Sequence, residues 1–364
     1  MTDAIVDDFY SHSISAKISS VCWLPPQAGK AYNDTELLFV TGSSGKVQEL
    51  TLWGMKNPDF SPNPNDFSVC EFGSLKHKGD VNHAVPFGSE GVLTASSNGN
   101  VTYFKLEYDE AEIRNEQELP ADIIRILTNK GSTKAHYYES GESSPCTAIT
   151  INSGYGSSSE IASCGEDGYL TFINSSDFIL SERRIIDYVP ITDLKWQNQF
   201  HIIFGTFNGN LKIIDKRSPD SYAQSFQFDP DTESSINALD VHPSLNYLVS
   251  AVNENGVAKV FDLRNNKHEL VSKSTPLHLP YWDIQFIPQT PNLIAVCSEN
   301  GTISTFDYQP NFINLENECD MEIKNSYSHS LNQLSINCMD FNPFTKSSMV
   351  LSGSDSECIF IKKL

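Results

Sequence analysis

Long apolar runs are missing from this chain. No stretch approaches the ~20 residues that a helix needs to cross a bilayer. Basic charge is scarce: 25 Lys plus Arg stand against 46 Asp plus Glu, a formal charge of −21. So acidic a chain is unsuited to broad contact with nucleic acid or to insertion into an anionic membrane. Met1 to Tyr10 carries Asp3, Asp7 and Asp8 and has neither a basic nor an apolar leader region, so no signal peptide is expected. No two of the eight cysteines have C-x-x-C spacing, which removes zinc-ribbon and dithiol redox motifs. Several, such as Cys164 and Cys297, lie inside apolar runs and read as buried thiols of a reducing compartment.

Catalytic signatures are missing as well. There is no nucleophile elbow, H-E-x-x-H or G-x-G-x-x-G. Thr41-Gly-Ser-Ser-Gly-Lys-Val resembles half a P-loop, but no Ser or Thr follows Lys46 and no strand-to-helix pattern surrounds it; it reads as a hairpin turn. His77, His83, His136, His242 and His329 are scattered without metal-ligand spacing and read as packing or surface residues. Asp229, Asp231 and Glu233 read as a solvated loop. The sequence therefore predicts no enzyme, no cofactor and no metal site.

What the chain does have is a repeat. An apolar run, small residues, a tight turn and a second apolar run recur seven times. Examples are Val92-Leu-Thr-Ala-Ser-Ser-Asn-Gly-Asn-Val, Ile202-Ile-Phe-Gly-Thr-Phe-Asn-Gly-Asn-Leu and Leu293-Ile-Ala-Val-Cys-Ser-Glu-Asn-Gly-Thr-Ile. Asn-Gly or Asp-Gly falls in the turn at Asn98, Asp167, Asn208, Asn255 and Asn300, the strongest short hairpin signal because a primed turn needs positive φ. The turn positions Gly45, Gly99, Gly168, Gly209, Gly256, Gly301 and Ser356 approach, in the later repeats, the ~40–45-residue period of WD repeats.

Before each hairpin, apolar residues fall at i, i+3 and i+5. Ile18, Val21 and Trp23 are one set; Ile191, Leu194 and Trp196 another; Tyr281, Ile284 and Phe286 a third; Val81, Ala84 and Pro86 form the weakest. The last step is strand alternation. The first breaks it, which a bulge entering the strand explains.

Seven units of about three strands and a less regular fourth predict an all-β, seven-bladed WD40-like β-propeller. Residues 1–364 are expected to form one such domain, with insertions near 54–76, 108–145 and 308–332. Ala121-Asp-Ile-Ile-Arg-Ile-Leu inside the second insertion suggests a short helix. The seventh unit has no residues for a fourth strand, while Tyr10 to Lys17 precedes the first. Lending that segment to blade seven closes the ring and removes two sheet edges.

Partners of a propeller commonly meet the mouth where the innermost strands begin. One residue before each i position lie Lys17, Asp80, Pro145, Pro190, Ser235, Pro280 and Ser335, and Tyr281 and Trp282 adjoin that ring. Lys17, Asp80, Tyr281 and Trp282 are the candidate partner-binding residues, the aromatic pair as an anchor. On consecutive blades, Asp215-Lys-Arg217 and Asp262-Leu-Arg264 resemble the paired box of cullin-4 ligase substrate receptors, which gives an alternative function; the plainer reading is an ordinary salt bridge.

Ile214-Asp, Phe261-Asp and Phe306-Asp stand where WD repeats close a blade, so the chain resembles a degenerate WD-repeat protein. More narrowly, Lys17-Ile-Ser, His77-Lys-Gly-Asp-Val, Ala95-Ser-Ser-Asn-Gly-Asn-Val-Thr, Ala135-His-Tyr-Tyr leading to Ser144-Pro-Cys-Thr, Gly165-Glu-Asp-Gly and Tyr281-Trp-Asp-Ile-Gln-Phe resemble, in order, the nucleoporin forty-three family. These are propeller subunits of the Y-shaped scaffold complex of the nuclear pore. The resemblance implies a non-catalytic subunit of the pore's outer ring at the nuclear envelope. It would dock on an α-helical scaffold nucleoporin among other Y-complex subunits and support transport of protein and mRNA. It also implies association with kinetochores in mitosis.

Overall fold

The computed structural model describes residues 4–6, 9–26, 36–56, 68–89, 91–108, 125–152, 159–218, 222–264, 269–274, 278–308, 321–328 and 334–364. Every regular element among them is a β-strand, and none is a helix long and apolar enough to cross a membrane. The strands make seven antiparallel sheets, six of four strands and one of five. Within the first six sheets the strands follow chain order from the innermost outward. Blade one, for instance, runs Lys17–Leu24, Glu36–Ser44, Glu49–Lys56 and Ser68–Lys76. Each inner strand also touches the inner strands of both neighbouring blades, so the sheets close into a ring: a seven-bladed β-propeller.

The N-terminal strands close the last blade. Phe9–Ser13 pairs antiparallel with Cys358–Lys363, and Ala4–Val6 adds a fifth strand outside it. The expected segment is slightly displaced: residues 14–16 turn the corner, and Lys17 already opens the inner strand of blade one. Tyr10 anchors the closure. It is 2 % exposed and packs in one cluster with Ile18, Trp23 and Trp53 of blade one and Ile359 and Ile361 of blade seven.

The hairpin turns are as the dipeptides require. Gly99, Gly168, Gly209, Gly256 and Gly301 all have φ between +71° and +81°, the left-handed region open to glycine. In blade seven the residue in that region is Glu357, one place after Ser356. The half P-loop is a turn, with Gly45 at φ +84° between two strands of blade one. The helix suggested at 121–127 is not formed where the structure describes it. Arg125–Lys134 is the outer strand of blade two, because pairing with Asn100–Tyr108 satisfies its backbone; residues 121–124 lie outside the described residues. No disulfide occurs among the described cysteines, and Cys22, Cys146, Cys164, Cys297 and Cys338 are buried thiols. His329 and Cys319 lie outside the described residues.

Candidate functional site: the mouth of the ring

The mouth is built by seven copies of one defect. The register slips at the start of every inner strand, between Ile18 and Ser20, Val81 and His83, Cys146 and Ala148, Ile191 and Asp193, Ile236 and Ala238, Tyr281 and Asp283, and Ile336 and Cys338. This is the bulge that the i, i+3 step implies. It leaves one extra residue per blade, and that residue usually reaches the next blade. Ser19 donates to the Val81 carbonyl (2.7 Å), Asn82 to Cys146 (2.8 Å), Thr147 to Ile191 (2.7 Å) and Asn237 to Tyr281 (2.8 Å). Asn337 donates to Ile18 at 3.4 Å and carries the series across the closure. Thr192 finds no acceptor. The seventh bulge residue is Trp282, and its indole N–H turns to the Glu299 carboxylate of its own blade at 2.7 Å.

The four mouth candidates therefore differ. Tyr281 is 5 % exposed and lies in a core cluster with Ile284, Val252 and Val296; burial pushes its hydroxyl up to about 12. Trp282, its neighbour, is 37 % exposed. Lys17 pairs with Asp355 of blade seven at 2.8 Å. Asp80 accepts from the Gly45 N–H and the Gln48 amide, both at 2.9 Å, and so ties blade two to the turn of blade one. The backbone also fixes a second ring beside the mouth. The N–H groups of Ser97, Glu166, Phe207, Glu254, Glu299 and Asp355 donate to the carbonyls of Asp80, Pro145, Pro190, Ser235, Pro280 and Ser335.

Deeper along the axis lies a feature that motif reading missed. Asp193, Asp240, Asp283 and Asp340 stand on the inner strands of blades four to seven, with Lys195 on blade four. Each carboxylate accepts a backbone N–H from the following inner strand: Asp193 from Leu239, Asp240 from Phe286, Asp283 from Met339 and Asp340 from Trp23. They occupy positions i+2 and i+4, the face turned to the next blade, and cap the free edge of its inner strand. Burial pushes Asp240 up to about 6 and Asp283 and Asp340 up to about 7, and raises Asp193 as well. Burial alone would lower Lys195, but the charges of these four carboxylates outweigh it and hold the ammonium above its ordinary range. The signal was a polar residue at i+2 or i+4 in a strand otherwise read for its apolar positions.

One cluster has the connectivity of a hydrolase triad. His136 Nδ1 is 3.0 Å from Asp167 Oδ1, and its Nε2 is 3.0 Å from Ser163 Oγ. Yet Ser163 and His136 are 0 % exposed, and the serine hydroxyl is also bonded to Thr171. Burial would raise Asp167, but the hydrogen bond and charge of His136, with the Tyr169 N–H and Arg183, hold it below the usual range. With no path for a substrate to the serine, the cluster ties the outer loop of blade two to the sheet of blade three.

The Asp-x-Arg boxes lie at the end of the ring opposite the mouth. Each arginine forks onto its own aspartate: Arg217 onto Asp215 and Arg264 onto Asp262, at 3.0 and 2.7 Å in both. Arg217 stacks on Phe200 at 4.1 Å and Arg264 on Tyr247 at 3.5 Å, each within its own blade. The guanidinium-bearing side chains remain 59 % and 56 % exposed.

No protein-family model matches the chain. Nucleoporin Nup43 of Homo sapiens is 25 % identical over 315 residues, covering 83 % of this chain and 76 % of the human protein. Nucleoporin Nup43 of Mus musculus matches with the same identity and coverage. Nuclear pore complex protein nup43 of Dictyostelium discoideum is 25 % identical over 223 residues, 56 % of this chain and 51 % of that protein. These matches agree with the resemblance carried by the segments from Lys17-Ile-Ser to Tyr281-Trp-Asp: this chain is a seven-bladed β-propeller similar to nucleoporin Nup43 over most of its length.

Proposed function

We propose that this chain is a non-catalytic structural subunit of the nuclear pore's outer ring. It works as one rigid propeller domain that docks on an α-helical scaffold nucleoporin of the Y-shaped complex and supports passage of protein and mRNA. The observation that carries this reading is the similarity to nucleoporin Nup43 across 83 % of the chain. The local chemistry supports it. The His136 cluster is sealed in the core, and the axial carboxylates are engaged with backbone N–H groups of neighbouring blades. A ring whose connecting loops differ in length from blade to blade suits recognition.

A second reading has one observation in its favour: Arg217 and Arg264 are more than half exposed at the same end of adjacent blades, as a cullin-4 adaptor would need. One experiment separates the two. The endogenously tagged protein should mark the nuclear rim and co-purify with Y-complex subunits; the same tag reads out kinetochores in mitosis. Diffuse signal and recovery of a cullin-4 adaptor would overturn the nucleoporin reading.

A further inference from the structure

At the bulge position five blades use a small polar residue to bond the next blade, and blade six places a tryptophan there. The substitution gives up an inter-blade bond and puts an indole at the mouth, 37 % exposed and clamped by Glu299. Leu334, two residues before the inner strand of blade seven, is 49 % exposed beside this sector. An exposed aromatic with its N–H already oriented is a pre-formed anchor.

The charge around it has one sign. In the mouth-side loops of blades five and six, residues 228–235, 254–256, 278–280 and 299–301, the described residues include Asp229, Asp231, Glu233, Glu254 and Glu299 and no lysine or arginine. In blade seven, by contrast, Asp355 is paired with Lys17. Such an acidic sector beside an apolar anchor repels nucleic acid and anionic lipid and attracts a cation carried next to an apolar group.

We propose that the mouth from blade five to the start of blade seven, formed by Glu254, Trp282, Glu299 and Leu334, docks a segment of a partner protein that presents lysine or arginine beside an apolar side chain. The apolar side chain packs on the Trp282 ring, and the cation lies among Glu254, Glu299 and Glu233. This rests on the reading of the chain as a docking platform and names the face and the chemistry of its partner.

The test uses the full-length purified chain and an array of short immobilised peptides in four classes: basic–apolar, acidic–apolar, basic only and apolar only. Basic–apolar peptides should be retained best, and retention should fall as salt is raised. Trp282→Ala should weaken it by about tenfold or more. The double variant Glu254→Gln, Glu299→Gln keeps an acceptor for the indole and should weaken binding while flattening its salt dependence. Phe344→Ala, at the opposite end of the ring, should bind as wild type, and all variants should melt within a few degrees of it. The proposal is overturned if no class is retained, if acidic–apolar peptides bind equally, or if the glutamine variant binds like wild type. Self-association abolished by Trp282→Ala would assign the face to a second copy and overturn it equally. None of these outcomes depends on the nuclear-rim experiment, so either reading can fail alone.

Discussion

Tyr281 and Trp282 are adjacent in sequence and opposite in role, because the bulge between Tyr281 and Asp283 turns one inward and the other toward the mouth. Tyr281→Ala should therefore cost about 3 kcal/mol or more in a denaturant or thermal melt, as large-to-small changes in a packed core do. Trp282→Ala should cost under ~1 kcal/mol, since it loses an exposed ring and one surface hydrogen bond. Equal losses would refute the assignment. The axial carboxylates give a pH test. An unfolded aspartate ionises near pH ~4, whereas Asp240, Asp283 and Asp340 hold their protons up to about 6, 7 and 7. The native state thus binds the extra protons, so this stability is present at low pH and is lost as pH rises through 6 to 7. Buried histidines oppose it. His83 is pushed down to about 3, and His77 and His242 are lowered, each chiefly by burial, so they subtract stability as pH falls below ~6.5. Groups facing Asp283 include Lys195, Asp193, Cys297 and Cys338, and burial raises the two thiols, which matter only at higher pH. Unfolded histidine is still about half protonated at pH ~6.5, so between about pH 6.5 and about pH 8 the histidines offset part of the carboxylate slope, and the carboxylate share is read as the difference in melting temperature between wild type and Asp283→Asn. Relative to wild type, Asp283→Asn should lose less stability as pH rises from about 6.5 to about 8. Parallel pH profiles for the two proteins would contradict the assignment.

At the scale of the strand, the second strand of each blade ends against the i residue of the next blade. Blades one, four and seven place glycine at the contact. A Cβ on Gly42 would overlap Val81, one on Gly353 would overlap Ile18, and one on Gly205 would stand 2.7 Å from Ile236 Cγ2. Gly353→Ala should therefore destabilise by about 1–3 kcal/mol through overpacking, although its backbone is ordinary strand. Calorimetry showing no loss would mean that Ile18 can move aside. This scale was the most legible in the sequence. Asn-Gly and Asp-Gly fix turns through local backbone preference, and the i, i+3, i+5 pattern carries the bulge in its spacing. The outer strands were less legible, and for a physical reason. Arg125–Lys134 has little apolar alternation because it packs on one neighbour and faces solvent, so pairing decides its state and the apolar Ile-Ile-Arg-Ile-Leu misleads toward helix. The capping carboxylates escaped because a lone aspartate in a strand has no motif; its meaning comes from the free edge of a strand in the next blade, 46 to 56 residues on for three of them and 317 residues back across the closure for Asp340. Of the candidate site, the sequence located the mouth, but the split between Tyr281 and Trp282 needed the register.

At the scale of the whole molecule, the ring depends on one short segment. Phe9–Ser13 is the outer neighbour of Cys358–Lys363, and Tyr10 fills a cluster shared by the first and last blades. The inner side of the same seam is held by Asp340, whose carboxylate accepts the Trp23 N–H at 2.7 Å while its carbonyl accepts the indole N–H at 3.0 Å. Two closures act in parallel, a strand outside and a side-chain clasp inside, and they should not be equivalent. Removing residues 1–13 leaves Lys17–Leu24 intact but bares the edge of Cys358–Lys363 and uncovers Ile359, Ile361 and Trp53. Uncovering several buried side chains costs about 1.5–3 kcal/mol each, and an exposed edge strand invites association. The truncated chain should melt well below wild type and aggregate on mild heating. Trp23→Phe loses the indole bond and part of a buried ring but keeps the outer strand, at a cost of about 1–3 kcal/mol, and it should remain soluble. Light scattering during a thermal ramp separates the two. If the truncated chain melts and scatters like wild type, the outer strand contributes nothing to closure, and the clasp between Asp340 and Trp23 is what holds the ring shut.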